Sequence, residues 1–340
     1  MTKIIGIGNA LVDIEFLLND TQLANTGLEK GNMTLASQSE QRELMQSLDE
    51  QNIGVSKQAS GGSSANAIVA MASLGSETFY ICQVADDALG QFYLADLNQI
   101  GVKTSKKSLS KQGVTGTCLS LVTPDAERTM QTHLGISAEI DENAVDFSQL
   151  TDANWLYIEG YLAMSPSVQE AILALKQQAV QHGVKIAVSF ADPAVVKFAK
   201  DGLDVMLAGG VDVVFCNCEE AKLYTNATTH DTACQSLLKV AKMAVVTNGA
   251  NGTMVAYQDD YLTEKHDNNQ VFIPSVAVEN VLDTTGAGDS YAGAFLHAFA
   301  DGKDLLSCGK LASCVASLVI AQFGARLTAE QYQYALQNLN

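Results

Sequence analysis

The sequence predicts an α/β fold in which a central, mostly parallel β-sheet has helices on both faces and carries a small β lid. From Trp155 onward, short apolar runs alternate with helical apolar patterns, which is typical of parallel sheets. The composition, with 47% apolar and 17% charged residues, is ordinary for a globular protein. No internal repeat, low-complexity tract or linker divides the chain. We therefore expect residues 1–340 to form one domain, with the lid built from parts of 10–35 and 85–130.

Apolar runs and helical periodicity mark the elements of the first half of the chain. Strands are predicted at 3–8, 14–18, 77–84 and 115–123. Helices are predicted at 39–51, 67–75 and 86–101. Gly75 is expected to end the second of these helices, and Ser63 or Ser64 to cap its start. Residues 124–129 are predicted to form a turn that contains Arg128.

The second half of the chain has the more regular pattern. Strands are predicted at 155–159, 185–190, 212–216, 244–247 and 253–257, with a further extended segment at 271–278. Helices are predicted at 167–182, 230–238, 310–322 and 329–338. Connections between parallel strands should be right-handed, and ligands should bind beyond the carboxyl ends of the strands.

Charge and cysteine content limit the function classes. A net charge of −18 argues against nucleic acid or an anionic membrane as the main partner, because phosphate-rich surfaces attract Lys and Arg. No apolar run is long enough to span a membrane, and the N-terminus lacks the apolar region of a signal peptide. The seven cysteines are scattered and never spaced Cys-x-x-Cys, so small buried thiols in a cytoplasmic protein are expected.

The segment Asp283–Ser290 combines a glycine turn with the start of an apolar helix, predicted to end near Gly302. Gly286 and Gly288 allow the backbone to turn sharply and to approach a ligand closely. Unpaired N–H groups at such a helix start favour an anion. Asp289 is therefore interpreted either as a helix N-cap or as a base beside a phosphate, and one residue can serve both purposes.

Asp-Thr-Thr-Gly-Ala-Gly-Asp at 283–289 resembles the C-terminal signature of the ribokinase-like (PfkB-type) family of carbohydrate and nucleoside kinases. A second segment, Ser60–Asn66, is similar to the family's N-terminal signature, Gly-Gly-x-x-x-Asn. The two signatures occur in the expected order, and the resemblance extends from Asn9 to about Gly324. It implies a ribokinase-like fold and an ATP-dependent kinase that uses Mg²⁺.

The resemblance also implies roles for particular residues. Asp289 would be the catalytic base, and the amides of Gly286, Ala287 and Gly288 would hold the transferred phosphate, with Arg128 near it. The residues implied to contact the sugar are Asn9, Asp13, Gly61, Gly62 and Asn66. Asn217 and Glu220, which match Asn-x-x-Glu, would organise Mg²⁺, partly through water.

Further residues are assigned to the nucleotide and to a monovalent cation. Thr247, Gly249, Gly252 and Thr284 would line the nucleotide. The turn at 249–252 lacks the Lys-Ser/Thr of a P-loop and could equally be a hairpin turn. Asp283 is a candidate for a K⁺ site, because family members often respond to K⁺.

The substrate stays open at this point. The segments Gly8–Asp13, 19–55 and Glu127–Met130 are most similar to the adenosine kinase branch, but ribokinase, fructokinase and 2-keto-3-deoxygluconate kinase remain alternatives. Phe16, Leu35 or Leu134 could supply a slot for a purine. A non-catalytic sugar or nucleotide sensor is the rival class. An NAD-dependent enzyme is disfavoured because Leu11 replaces the third glycine of the dinucleotide motif. A monomer or a homodimer is expected.

Overall fold

A computed structural model describes residues 2–125, 127–263 and 266–338. Its strands are β1 (Lys3–Ile7), β2 (Leu11–Leu17), β3 (Met33–Leu35), β4 (Val55–Gly61), β5 (Glu77–Ile81), β6 (Val84–Ala85), β7 (Lys103–Thr104), β8 (Leu109–Ser110), β9 (Gly116–Val122), β10 (Arg128–His133), β11 (Trp155–Ile158), β12 (Lys185–Ser189), β13 (Val211–Asn217), β14 (Ala241–Thr247), β15 (Thr253–Tyr257) and β16 (Gln270–Ile273). Its helices are α1 (Asp20–Asn25), α2 (Gln38–Glu50), α3 (Ser63–Leu74), α4 (Ala88–Ile100), α5 (Pro166–Gln181), α6 (Pro193–Phe198), α7 (Lys200–Leu207), α8 (Cys218–Thr225), α9 (His230–Leu237), α10 (Ala287–Ala300), α11 (Leu305–Ile320) and α12 (Ala329–Gln337). Ala126, in the predicted turn at 124–129, lies outside the described residues.

The main sheet runs in the order β16-β15-β14-β13-β12-β11-β1-β5-β7 in the described part of the chain. Every neighbouring pair from β14 to β7 is parallel, and β15 and β16 add antiparallel at one edge. The predicted mostly parallel sheet is therefore confirmed. The extended segment predicted at 271–278 is a strand only over Gln270–Ile273.

Helices cover both faces of this sheet, as predicted. Successive residues of a strand point to opposite faces, so Ile4 and Ile5 of β1 belong to two separate buried cores. The first core joins the sheet to α3, α4, α10, α11 and α12, and the second joins it to α5 through α9. None of the helices in the described ranges has both the length and the apolar character of a membrane span.

A second, five-stranded sheet, here called the small sheet, has the order β3-β10-β9-β2-β4 within the described residues. Its strand β9 matches the prediction, and β2 covers Leu11–Leu17 where 14–18 was expected. No strand was predicted at β3, β4 or β10. The turn that was predicted to hold Arg128 ends earlier, and Arg128 is the first residue of β10.

Alternation along β2 determines which residues of the small sheet can meet a ligand. Val12, Ile14 and Phe16 are buried in the first core with residues of α2. Leu11 and Asp13 therefore point to the other face, where both line a cavity. The small sheet thus covers that cavity with one face and packs on α2 with the other.

Helices α3 and α10 pack closely because Gly293 of α10 lies against α3. A Cβ at Gly293 would lie 2.5 Å from the carbonyl oxygen of Ala67 and 3.0 Å from the Cβ of Ala70. The first turns of these two helices carry Asn66 and Asp289. The distance between Asn66 and Asp289 therefore depends on the absence of a side chain at Gly293.

We expect Gly293→Ala to lower the free energy of unfolding by about 1–3 kcal/mol, because the added methyl overpacks the contact between α3 and α10. Helix propensity alone would give the opposite sign, since Ala stabilises a helix interior by roughly 1 kcal/mol relative to Gly. Chemical denaturation measures the difference. Gly54→Ala is the control, because a Cβ at Gly54 meets no atom within 4 Å. Equal or higher stability of Gly293→Ala would contradict the role given to this contact.

Candidate active site

A cavity of about 460 Å³ lies between the small sheet, the carboxyl ends of the central strands and the start of α10. This is the edge at which ligands bind in open α/β sheets. Most of the residues singled out in the sequence line it: Asn9, Asp13, Gly62, Asn66, Arg128, Asn217, Glu220, Thr247, Thr284, Gly286, Gly288 and Asp289. The predicted residues outside this lining are Gly61, Gly249, Gly252, Asp283 and Ala287. Phe16, a candidate for the purine slot, also lies outside it, because its side chain is buried in the first core.

Asp289 lies in the first turn of α10 but does not cap it. The N-cap is Gly286, whose φ of 71° lies in the left-handed region that favours glycine. The side chain of Asp289 instead crosses to α3, where it accepts hydrogen bonds from Ser63 Oγ at 2.6 Å and Asn66 Nδ2 at 3.1 Å. Burial raises the pKa of Asp289, and these two hydrogen bonds lower it. The interpretation of Asp289 as an N-cap is therefore wrong.

The start of α10 presents backbone donors to the cavity. The N–H of Ala287 donates to the carbonyl of Thr284 at 3.2 Å, so it is not available to a ligand. The N–H groups of Gly288 and Asp289 belong to the first turn, where no intrahelical acceptor exists. The predicted anion site is thus limited to these two amides. Gly286 is pressed against Ala325, which leaves no room for a side chain there.

The Gly-Gly turn before α3 is required by close contacts. A Cβ at Gly61 would collide with the carboxylate of Asp13, and one at Gly62 would collide with the carbonyl of Asn9. Gly62 is also the N-cap of α3 and has a φ of 103°. The predicted capping by Ser63 or Ser64 is wrong, because no side chain caps this helix. Gly75 ends α3 with a φ of 114°, as expected.

Two buried carboxylates, Asp13 and Glu159, line the cavity beside residues that were predicted to bind the sugar. Burial raises the pKa of Asp13 to about 6, against the opposing effect of Arg326 and Arg128. Glu159, which directly follows β11, accepts hydrogen bonds from Asn9 Nδ2 at 2.9 Å and Ser64 N at 2.8 Å. Burial raises its pKa to about 7.

The sequence reasoning missed Glu159 and Ser63. Glu159 was predicted only as the last residue of a strand. Its position at the carboxyl edge of the sheet, where ligands bind, was a signal that it belongs to the site. Tyr161 and Asp192 line the same edge, and the hydroxyl of Tyr161 donates to Asp192 at 3.3 Å. Tyr161 and Asp192 therefore add polar side chains to the cavity lining outside the two signature segments.

Arg128 links the small sheet to the loop before α10. Its guanidinium lies 2.9 Å from Glu15 of β2 and 2.9 Å from Asp283. Asp283 also accepts hydrogen bonds from Thr285 N at 2.9 Å and Gly324 N at 2.8 Å. The carboxylate of Asp283 is thus engaged by a guanidinium and two amides. A K⁺ site at this carboxylate stays a prediction.

Asn217 and Glu220 meet at the junction of β13 and α8. They form a capping box, in which the Asn217 side chain accepts from Glu220 N and the Glu220 carboxylate accepts from Asn217 N, both at 2.9 Å. Burial raises the pKa of Glu220 to about 7. One carboxylate with an amide oxygen suits Mg²⁺ that keeps several waters and binds phosphates. No group of three or more His, Cys, Asp or Glu side chains suited to a metal occurs in the described residues.

The residues assigned to the nucleotide separate into two groups. Thr247, at the end of β14, and Thr284 line the cavity. Gly249 and Gly252 lie in the turn that joins β14 to the antiparallel β15, and they have φ values of 53° and 83°. The hairpin interpretation of this turn is therefore confirmed, and its contact with a nucleotide stays a prediction.

Comparison with known proteins shows that several kinases are similar to this chain in structure or in sequence. The structure of adenosine kinase from Sinorhizobium meliloti superposes with a TM-score of 0.86 at 33% identity, covering 99% of both chains. The 5-dehydro-2-deoxygluconokinase of Geobacillus thermodenitrificans is 27% identical over 294 residues, which are 82% of this chain and 84% of that protein. Adenosine kinase of Saccharomyces cerevisiae is 25% identical over 97% of this chain and 98% of its own.

The match to a family model agrees with both kinds of relative. The model of the pfkB family carbohydrate kinases covers residues 32–331, which include every strand of the small sheet except β2, the main sheet from β5 onward and the start of α10. The glycine turn with Asp289 and the Gly-Gly turn with Asn66 both fall within the matched range. The chain therefore belongs to the pfkB family of carbohydrate kinases.

Proposed function

We propose that the protein is an ATP-dependent kinase that phosphorylates the hydroxymethyl group of a purine nucleoside, with adenosine as the best candidate. Its family makes it a phosphotransferase that acts on a sugar or nucleoside. The choice of a nucleoside rests on the apolar wall that the small sheet presents to the cavity. The similarity to the Sinorhizobium meliloti adenosine kinase over almost the whole chain supports the same choice.

The apolar wall is made by side chains from several strands of the small sheet and the segment after it. Its members are Leu11, Met33, Leu35, Met130 and Leu134. Met33 and Leu35 are 38% and 55% exposed. The flat ring of a purine would cover such side chains, whereas a free sugar would leave them in water. The polar side chains of Asn9 and Asp13 belong to the same lining and would bind the hydroxyls of a ribose.

The charges of the lining oppose an acidic sugar. Among the described residues that line the cavity, Arg128 is the only Lys or Arg, and it is already paired with Glu15 and Asp283. A sugar acid, such as the substrate named for the Geobacillus relative, needs a cation for its carboxylate. The 27% identity to that relative nevertheless makes a ketogluconate the second candidate.

In the proposed reaction, Asp13 and Asn66 position the sugar hydroxyls and Asp289 acts as the general base. Asp289 accepts the proton of the hydroxymethyl group while the oxygen forms a bond to the γ-phosphorus and the bond to ADP breaks. The N–H groups of Gly288 and Asp289 stabilise charge on the transferred phosphoryl group. Asn217 and Glu220 would hold Mg²⁺, which neutralises the phosphates when bound.

The remaining assignments are parts of the same proposal. Thr247 and Thr284 would contact the nucleotide, with the turn at Gly249 and Gly252 beside it. Asp283 would hold K⁺ only after releasing Arg128. A cytoplasmic monomer or homodimer is proposed, and all seven cysteines, which lie in the described ranges, are unpaired.

We expect ATP consumption in a coupled assay to be highest with adenosine among adenosine, ribose, fructose, 2-keto-3-deoxygluconate and 5-dehydro-2-deoxygluconate. The apolar wall should give adenosine a lower KM, since it buries the base as well as the ribose. 5′-Deoxyadenosine is the matched control, because it keeps the base but lacks the acceptor hydroxyl, and it should bind without turnover. Faster turnover of a keto sugar acid would show that the substrate is the second candidate, a ketogluconate, and not a nucleoside. Tight adenosine binding without any turnover would favour a sensor.

We expect Asp289→Asn to lower kcat by roughly 10²–10⁴-fold, the usual contribution of a general base. The amide keeps the shape of the side chain, so the KM for ATP should change little. Steady-state kinetics at saturating substrate measure the effect. Asp304→Asn is the control, because Asp304 caps α11 and Asn is an equally good N-cap. Near-normal turnover in Asp289→Asn would exclude this residue as the base.

A further inference from the structure

Two side chains of α3 occupy the carboxylate of Asp289, one on each oxygen. Ser63 Oγ donates to Oδ1 at 2.6 Å, and Asn66 Nδ2 donates to Oδ2 at 3.1 Å. Ser63 and Asn66 are three residues apart, so one face of the helix presents both donors. An ionised carboxylate has about four acceptor positions. Two of them therefore remain open to a substrate hydroxyl while both donors stay in place.

Ser63 differs from its neighbour Ser64 in how its hydroxyl is used. Neither serine caps α3, since the N-cap is Gly62 and no side chain bonds to the first turn. The hydroxyl of Ser63 lines the cavity and is directed to Asp289. The hydroxyl of Ser64 is buried and has no hydrogen-bond partner in the described part of the chain. Ser64 acts through its backbone, which donates to Glu159.

The surroundings of Asp289 disfavour its ionised form. Burial raises its pKa, and its own charge raises the pKa values of Asp13, Glu159 and Glu220, which are carboxylates on three different elements around the cavity. Its charge likewise raises the pKa of Tyr157. Against these effects, the hydrogen bonds from α3 are the contributions that lower the pKa of Asp289.

The other elements packed around Asp289 add no cation that is free to replace those bonds. The sequence of α3 contains no titratable side chain, and β13 contributes Cys216 to the lining. Tyr161 points to Asp192. Arg128, the basic residue of the described lining, is held by two carboxylates of its own. Ionisation of Asp289 thus depends on the two hydrogen-bond donors of α3.

We propose that Ser63 is a positioning residue for the phosphoryl transfer, because its hydroxyl keeps Asp289 ionised and directed into the cavity before the substrate binds. This inference rests on the proposed role of Asp289 as the base. Ser63 keeps its own proton throughout the reaction. The proton of the substrate hydroxyl moves to Asp289, the substrate oxygen bonds to phosphorus, and ADP leaves with the electrons of the broken P–O bond.

The test compares Ser63→Ala, Ser63→Thr and Ser64→Ala through the pH dependence of kcat/KM. A hydrogen bond to a charged acceptor accounts for about one pKa unit, so the acidic limb of Ser63→Ala should move up by about one pH unit. The sign follows because loss of the donor raises the pKa of the base, which then ionises at higher pH. Ser63→Thr keeps the hydroxyl and should restore the limb. Ser64→Ala removes an unpartnered hydroxyl on the same turn and should leave the limb in place.

A second measurement does not depend on the substrate. The carboxyl ¹³C resonance of Asp289 in the ligand-free protein, assigned by its loss in Asp289→Asn, should titrate about one pH unit higher in Ser63→Ala than in wild type. An unchanged titration, or the same shift in Ser64→Ala, would overturn the inference. If the shift is found but no nucleoside or sugar is phosphorylated, Ser63 still keeps Asp289 ionised, and it is the proposed activity that fails.

Discussion

The close approach of the first turns of α3 and α10 is the contact on which the rest of the site depends. Gly293 removes the side chain that would separate the two helices, and Gly62 and Gly286 start them with positive φ. The result is that Asp289 of one helix reaches two donors of the other. Ser63 and the proposed base, Asp289, are 226 residues apart in the chain. Their geometry is therefore set by helix packing and not by a local motif.

The proposed reaction requires an acidic cavity to accept the triphosphate of ATP. Asp13, Glu159 and Glu220 repel anions when they are ionised, and burial raises their pKa values and so reduces that charge. The cation of the described lining, Arg128, is already paired. In the proposed reaction, attraction of phosphates would come from the helix N-terminus at Gly288 and from Mg²⁺ held by Asn217 and Glu220.

The main sheet was predictable, whereas much of the small sheet was not. Strands such as β11, β12 and β14 are buried on both faces, so they appear in the sequence as apolar runs. β3 is exposed throughout and β4 over its first four residues, so apolar runs do not mark them. The turn expected at 124–129 was extended too far, because strand β10 begins at a charged residue, Arg128. Pairing with β9, a contact between segments of the chain, makes this residue part of a strand.

The residues of the site also divide into those that the sequence predicts and those that only packing brings together. Gly62 and Asp289 could be selected because a glycine turn and a helix start constrain the residue types at those positions, and Asn66 could be selected from the resemblance to Gly-Gly-x-x-x-Asn. Ser63 occupies an unspecified position of Gly-Gly-x-x-x-Asn, and the motif predicts nothing about it. Only the helix register, which places it on the face of Asn66, and the packing of α10 connect it with the base. A resemblance in motifs thus defines the reaction class, while the residues between the fixed positions adjust the chemistry.

In the proposed function, the choice of substrate depends on the small sheet, whose strands were the hardest to predict from the sequence. The proposed base and phosphate site lie on α10 and on the edge of the main sheet. The apolar wall comes from β2, β3, β10 and Leu134, at the small sheet, where exposed strands tolerate substitution. In the proposed function, changing Met33 or Leu35 would alter what the cavity covers, while Asp289 stays in place on α10. Relatives that share the chemistry can therefore differ in substrate, in agreement with the adenosine and ketogluconate kinases among them.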